Sequence, residues 1–137
     1  MSASIIDSAR SRARRGGFTL LFFSACLGFC LEAAHALKLS PYLDVPLRRE
    51  LLTWAHAHGV GLALVLLAYA AGGIVDAQTA RHARTLLVGA LLVPLGFLLA
   101  SVDLHESDPG VSIVLVPVGA LCVLYALFHA LRAAWRA

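Results

Sequence analysis

Glu32 and His35 stand three residues apart, and His56 and His58 two apart, each pair inside an apolar run. Ionisable side chains are costly in lipid and usually line a site or pathway there. Three imidazoles and a carboxylate suit Zn, Cu or non-haem Fe, and three protein ligands with an open position can activate a water. On a helix the Glu-x-x-His spacing sets its two side chains roughly 60° apart around the axis, so one helix can offer both to one ion. His56 and His58 are about 200° apart on a regular helix, so they serve different neighbours unless the turn is distorted. His56 shares its face with Thr53, Gly59, Val60 and Ala63, a small and slightly polar stripe, and ranks above His58 as a direct ligand.

Two further stripes bear on the site. Leu21, Ala25, Gly28, Glu32 and His35 recur at helical spacing, with small residues that let another helix approach closely, which predicts that Glu32 and His35 face the bundle. Gly89, Val93, Gly96, Ala100 and Asp103 repeat the same rhythm and predict an inward Asp103 at a helix rim. The expected centre is therefore Glu32, His35 and His56, with His58 and Asp103 as partners and Glu32 as ligand or general base. Bis-histidine haem b on His35 and His56 is the rival, and it leaves Glu32 and His58 unexplained. A polar knot of Glu32 with the histidines, fixing helix pairing without a cofactor, is the third reading. Asp103, His105, Glu106 and Asp108 also read as a solvated acidic loop that ends in the Asp108-Pro109-Gly110 turn, which leaves Asp103 open between that loop and the inward rim.

The elements that must position these residues are membrane helices. Of 137 residues 60% are hydrophobic and 14% charged, and the mean hydropathy is +0.82, values outside the range of a soluble core. Phe18–Lys38, Leu51–Ala71 and Val111–Leu131 each hold 21 residues and Thr85–Val102 holds 18, against about 20 residues needed to cross a ~30 Å hydrocarbon layer. The short connections Leu39–Glu50, Gly72–Arg84 and Asp103–Gly110 make consecutive helices antiparallel neighbours. The expected fold is all-α: an integral membrane up-down-up-down four-helix bundle forming one domain, with residues 1–17 as a basic tail. The halves show no clear internal repeat, which weakens an inverted-repeat transporter.

Charge sets the orientation. Arg10, Arg12, Arg14, Arg15, Arg81, Arg84, Arg132 and Arg136 fall on one side and Lys38, Arg48 and Arg49 on the other, which accounts for all eleven basic residues. By the positive-inside rule both termini are cytoplasmic, in a bacterial inner membrane, with Asp44 and Asp108 in the periplasm. The tail is expected to meet anionic lipid headgroups rather than nucleic acid. A secretory leader is disfavoured, because the first apolar run exceeds the usual ~7–15 residues and carries Glu32 and His35.

Other residues carry less chemistry. Cys26, Cys30 and Cys122 form no Cys-x-x-Cys and read as small apolar packing residues, although Cys26 and Cys30 share a face. His82, in a basic loop, and His129, beside Cys122 and Ala126, are expected to be structural or interfacial. Tyr42, Trp54 and Trp135 read as interface anchors, and Pro94 and Pro117 as helix kinks.

The strings Leu31-Glu32-Ala33-Ala34-His35-Ala36, Tyr42-Leu43-Asp44, Arg48-Arg49, Ala55-His56-Ala57-His58-Gly59, Asp108-Pro109-Gly110 and Val116-Pro117 resemble a group of small uncharacterised bacterial four-helix membrane proteins, from about Phe18 to Leu121. That resemblance implies architecture and a choice of residues, and no activity. The functional expectation is a membrane metal-binding protein, whether a redox or hydrolytic enzyme acting on a small or lipid-borne substrate, or a carrier, homo-oligomer or accessory subunit of a larger respiratory or transport complex.

Overall fold

The structure is a computed structural model and describes residues 2–73, 76–104 and 108–136. His105 and Glu106 lie outside the described residues. The chain is all-helical: α1 (Ser2–Ala36), α2 (Ser40–Leu43), α3 (Pro46–Ala68), α4 (Ala77–Val102) and α5 (Leu115–Ala134), with a π-helical turn at Tyr69–Gly73 and a 3-10 turn at Val111–Val114. All but the short α2 are long and apolar enough to cross a membrane. Phe22, Phe23, Phe29, Leu121, Leu124 and Phe128 are exposed on their outer faces.

α4 is the central helix. Half of its most apolar window is buried inside the protein, against 17 to 28% for the other three. It packs on α1, α3 and α5, whereas α5 packs almost wholly on α4. Facing residues run in opposite senses along each pair: Gly17 meets Ala63 and Gly28 meets His56 between α1 and α3, and Gly89 meets Cys122 while Gly96 meets Val116 between α4 and α5. At one crossing both sides are glycine, and a Cβ added to Gly89 or Gly119 would press on the other's carbonyl. Close approach through small residues is how helices gain contact where lipid removes the hydrophobic drive.

Two boundaries differ from the sequence expectation. Residues 1–17 were expected as a tail, yet α1 is one helix of 35 residues, about 52 Å at ~1.5 Å per residue and longer than the ~30 Å hydrocarbon layer. Its early turns pack because Ala9 and Ala13, 3% and 1% exposed, join a cluster with Tyr69, Ala80 and Ala83. α4 begins at Ala77, eight residues before the apolar run, so His82 is helical rather than in a loop. Asp76 accounts for that start: its side chain accepts the Thr79 backbone N–H at 2.7 Å, while the Thr79 hydroxyl accepts the Asp76 N–H, a reciprocal capping box. The Tyr69 hydroxyl donates to the Thr79 carbonyl at 3.0 Å and ties the π-helical turn to the same point.

The prolines behave differently from each other. Pro94 is buried in the middle of α4, where it cannot donate to the Ala90 carbonyl. Pro117 stands in the first turn of α5, where backbone N–H groups have no partner within the helix, so it needs no kink. At the other end of the bundle Arg48 reaches from α3 to donate to the Ser101 carbonyl at 3.1 Å and the Pro41 carbonyl at 3.0 Å. One guanidinium thus joins the start of α3, the end of α4 and α2.

Candidate functional site

The inward stripe of α1 is Ala9, Ala13, Gly17, Leu20 and Ser24, all buried, continued by half-buried Leu27, Gly28 and Leu31. The stripe expected from spacing is rotated from this one. Leu21 and Gly28 are half-buried, but Ala25, Glu32 and His35 are exposed. Glu32 lies one position past Leu31, about 100° around the axis, which carries it out of the α1–α3 contact.

α1 ends just beyond these residues in a Schellman motif. The Leu39 N–H donates to the Ala34 carbonyl at 3.0 Å and the Lys38 N–H to the His35 carbonyl at 3.1 Å. Lys38 adopts φ 52°, the left-handed conformation for which glycine is the usual residue.

His56 lies in the α1–α3 seam. Its ring packs on Gly28, where an added Cβ would collide with it, and Nδ1 is 2.8 Å from the Ser24 carbonyl oxygen. A carbonyl can only accept, so Nδ1 carries the proton and Nε2 of the neutral ring keeps its lone pair. Ser24 in turn fills the space that a Gly59 Cβ would need, with Pro94 of α4 at the same crossing. His58 points elsewhere, as its angular position required: its Nδ1 donates to the Trp54 carbonyl at 2.9 Å and its ring lies 5.0 Å from that of Phe97. Trp54 meets the same Phe97 edge-on at 5.5 Å.

The third stripe is buried from Gly89 through Val93, Gly96 and Ala100 as expected, and the expectation fails at Asp103. Asp103 is the exposed C-cap of α4, where the helix ends before the side chain can turn inward. Cys26 and Cys30 are exposed on α1 and Cys122 is half-buried against Gly89. Among the described residues no three His, Cys, Asp or Glu side chains are grouped to hold a metal ion, so Glu32, His35 and His56 form no such group within one chain.

The opposite end of the bundle holds a cluster that sequence spacing did not single out. His82 of α4 and His129 of α5 stack at 4.1 Å between ring centroids with planes 19° apart, and Tyr125 meets both rings at 5.2 and 4.6 Å. His82 Nε2 is the buried side-chain polar atom without a hydrogen-bond partner among the described residues. The Thr79 backbone N–H holds the Asp76 carboxyl below the usual carboxylate range, with a further contribution from the Thr79 hydroxyl. A cleft of ≈310 Å³ opens beside them, lined by Asp76, Gln78, Thr79, His129, Arg132 and Arg136 among others.

Compared with family models, curated proteins and solved structures, the chain shows no significant match.

Proposed function

We propose that the chain is a multi-pass protein of the bacterial inner membrane, up-down-up-down with both termini cytoplasmic, acting as a metal-binding subunit of a larger membrane assembly. The observation that carries this is the exposure of Glu32 and His35 on α1, inside the stretch able to cross the membrane. A carboxylate and an imidazole facing acyl chains are costly, and a neighbouring chain that covers them removes the cost. Their Glu-x-x-His spacing leaves them able to share one Zn, Cu or Fe ion whose other ligands come from that neighbour. In His56 the Nδ1–H bond to a backbone carbonyl is the orientation a metal-ligating histidine takes, with Nε2 as the donor atom.

A second reading has its own observation. Because the His56 ring fills the space over Gly28 and bonds to Ser24, its role can be wholly to fix the α1–α3 pairing. Metal analysis, an absorption spectrum and the mass of the assembly, measured on protein extracted in mild detergent, separate the two. Under the first reading metal co-purifies with an oligomer or larger complex, and Glu32→Gln and His35→Gln lower it without unfolding the chain. A Soret band transfers the histidines to haem b. A metal-free monomer with unchanged stability in Glu32→Gln and His35→Gln overturns the subunit reading and leaves the helix-pairing role of His56.

A further inference from the structure

We infer that the cleft between the start of α4 and the end of α5 binds a phosphate-bearing anion at the membrane surface. The cleft presents Arg132 from α5, Arg136 from just past its end and Gln78 from α4, with His129 on its wall. A second opening shares Asp76, Gln78 and His129 with it and adds Arg81, His82 and Tyr125. Across the two openings three guanidiniums and two imidazoles face one carboxylate. That carboxylate keeps its charge while its Oδ1 accepts the Thr79 N–H and the Thr79 hydroxyl at 2.7 and 2.8 Å, and the three guanidiniums outnumber it. The balance left for a ligand is positive.

Geometry favours phosphate over a simple halide. Guanidiniums present paired donors that match phosphate oxygens, and two of them, Arg132 in the last turn of α5 and Arg136 just beyond its end, line one pocket. The Arg132 guanidinium lies 5.7 Å from the Phe128 ring, a cation–π contact that limits its movement.

Depth sets where such an anion would meet the cleft. The apolar run of α5 ends at Leu131, Arg132 follows at once, and Trp135 beyond it is 84% exposed. The cleft therefore sits where lipid phosphates lie, with an opening of ≈310 Å³ to take the group and its ester. A phospholipid headgroup and a soluble phosphate ester share this chemistry.

The test uses the full chain in detergent and in nanodiscs. Inorganic phosphate is titrated against chloride at equal ionic strength, and phosphatidylglycerol against phosphatidylcholine, with thermal unfolding and native mass spectrometry as readouts. Arg132→Gln/Arg136→Gln is compared with Arg12→Gln/Arg14→Gln, which removes the same charge from α1. The cleft variant is expected to retain anionic ligand at least about tenfold less well than wild type, since losing even one charge-assisted hydrogen bond costs about that much and two guanidiniums are removed, while the α1 variant keeps it. Stabilisation by phosphatidylglycerol alone assigns a lipid source, and stabilisation by phosphate alone assigns a soluble one. Equal loss in both double variants reduces the effect to general basic attraction and overturns the inference. Absence of binding by wild type to either probe also overturns it.

Discussion

His56 occupies the space that Gly28 leaves open, and Ser24, one turn earlier on α1, occupies the space left by Gly59, one turn later on α3. The two helices thus exchange a side chain for a missing one at successive turns, and the His56–Ser24 hydrogen bond joins the two exchanges at 2.8 Å.

Gly28→Ala should therefore act as overpacking rather than as a helix-propensity gain. The added carbon meets the His56 ring, and the expected cost is ~1–3 kcal/mol. Gly61→Ala is the control, because nothing lies within 4 Å of its added Cβ, and it should be neutral or stabilising by up to ~1 kcal/mol. Thermal unfolding in one detergent checks both, and equal stability of the two variants would remove the interlock.

Lys38→Gly should raise stability. A β-carbon at φ 52° costs roughly 1–2 kcal/mol, and glycine removes that strain while keeping both hydrogen bonds of the Schellman motif. Part of the gain is offset by the greater freedom of glycine in the unfolded chain. An unfolding midpoint below that of wild type would show that Lys38 contributes more through its side chain than it costs through its backbone.

Asp76→Ala should destabilise by about 1 kcal/mol through loss of the cap on α4. Its carboxyl sits below the usual carboxylate range because the Thr79 N–H favours the charged form. A depressed folded-state value means the contribution is fully present above the unfolded value of ~3.9 and is lost as pH falls through the lower folded value. The gap between wild type and variant should hold steady from pH 7 to about 5 and narrow only below about 4. A gap that closes near neutral pH would assign it to another group, with His82 next to test.

Cysteines placed at Asp44 and Asp108, in a chain freed of Cys26, Cys30 and Cys122, should react with an impermeant maleimide from the periplasmic side. One placed at Gln78 should react only after the membrane is opened. The reverse pattern would invert the topology proposed from the arginine distribution.

The four apolar spans were legible because hydropathy reports what lipid tolerates, and each has its counterpart in α1, α3, α4 and α5. Rotation about α1 was not legible in the same way. Ala, Gly and Ser occur on more than one face of it, so the stripe through Ala25 and Glu32 looked as suitable for packing as the one through Leu20 and Ser24. Only the partner surface, with Gly59 opposite Ser24, decides between them. The start of α4 was missed because a membrane scan does not register the polar turn from Ala77 to Arg84, although Asp76-x-x-Thr79 is a capping signal in plain view. The His82–His129 stack was within reach too: reflecting the chain about the middle of the Asp103–Gly110 connection brings His82 within two residues of His129.

The near-total dependence of α5 on α4 has a bearing on biosynthesis. Helices leave the ribosome in chain order, so α1 and α3 can pair while α4 is still being made, and α4 then settles against both. α5 arrives last and only folds back on the helix before it. A chain stopped after Val102 would already hold the α1–α3–α4 contacts, and its loss would fall on the α4–α5 cleft and the stacked imidazoles. Maturation of this protein should accordingly proceed by accretion, with the arginine-lined cleft as the last part to exist.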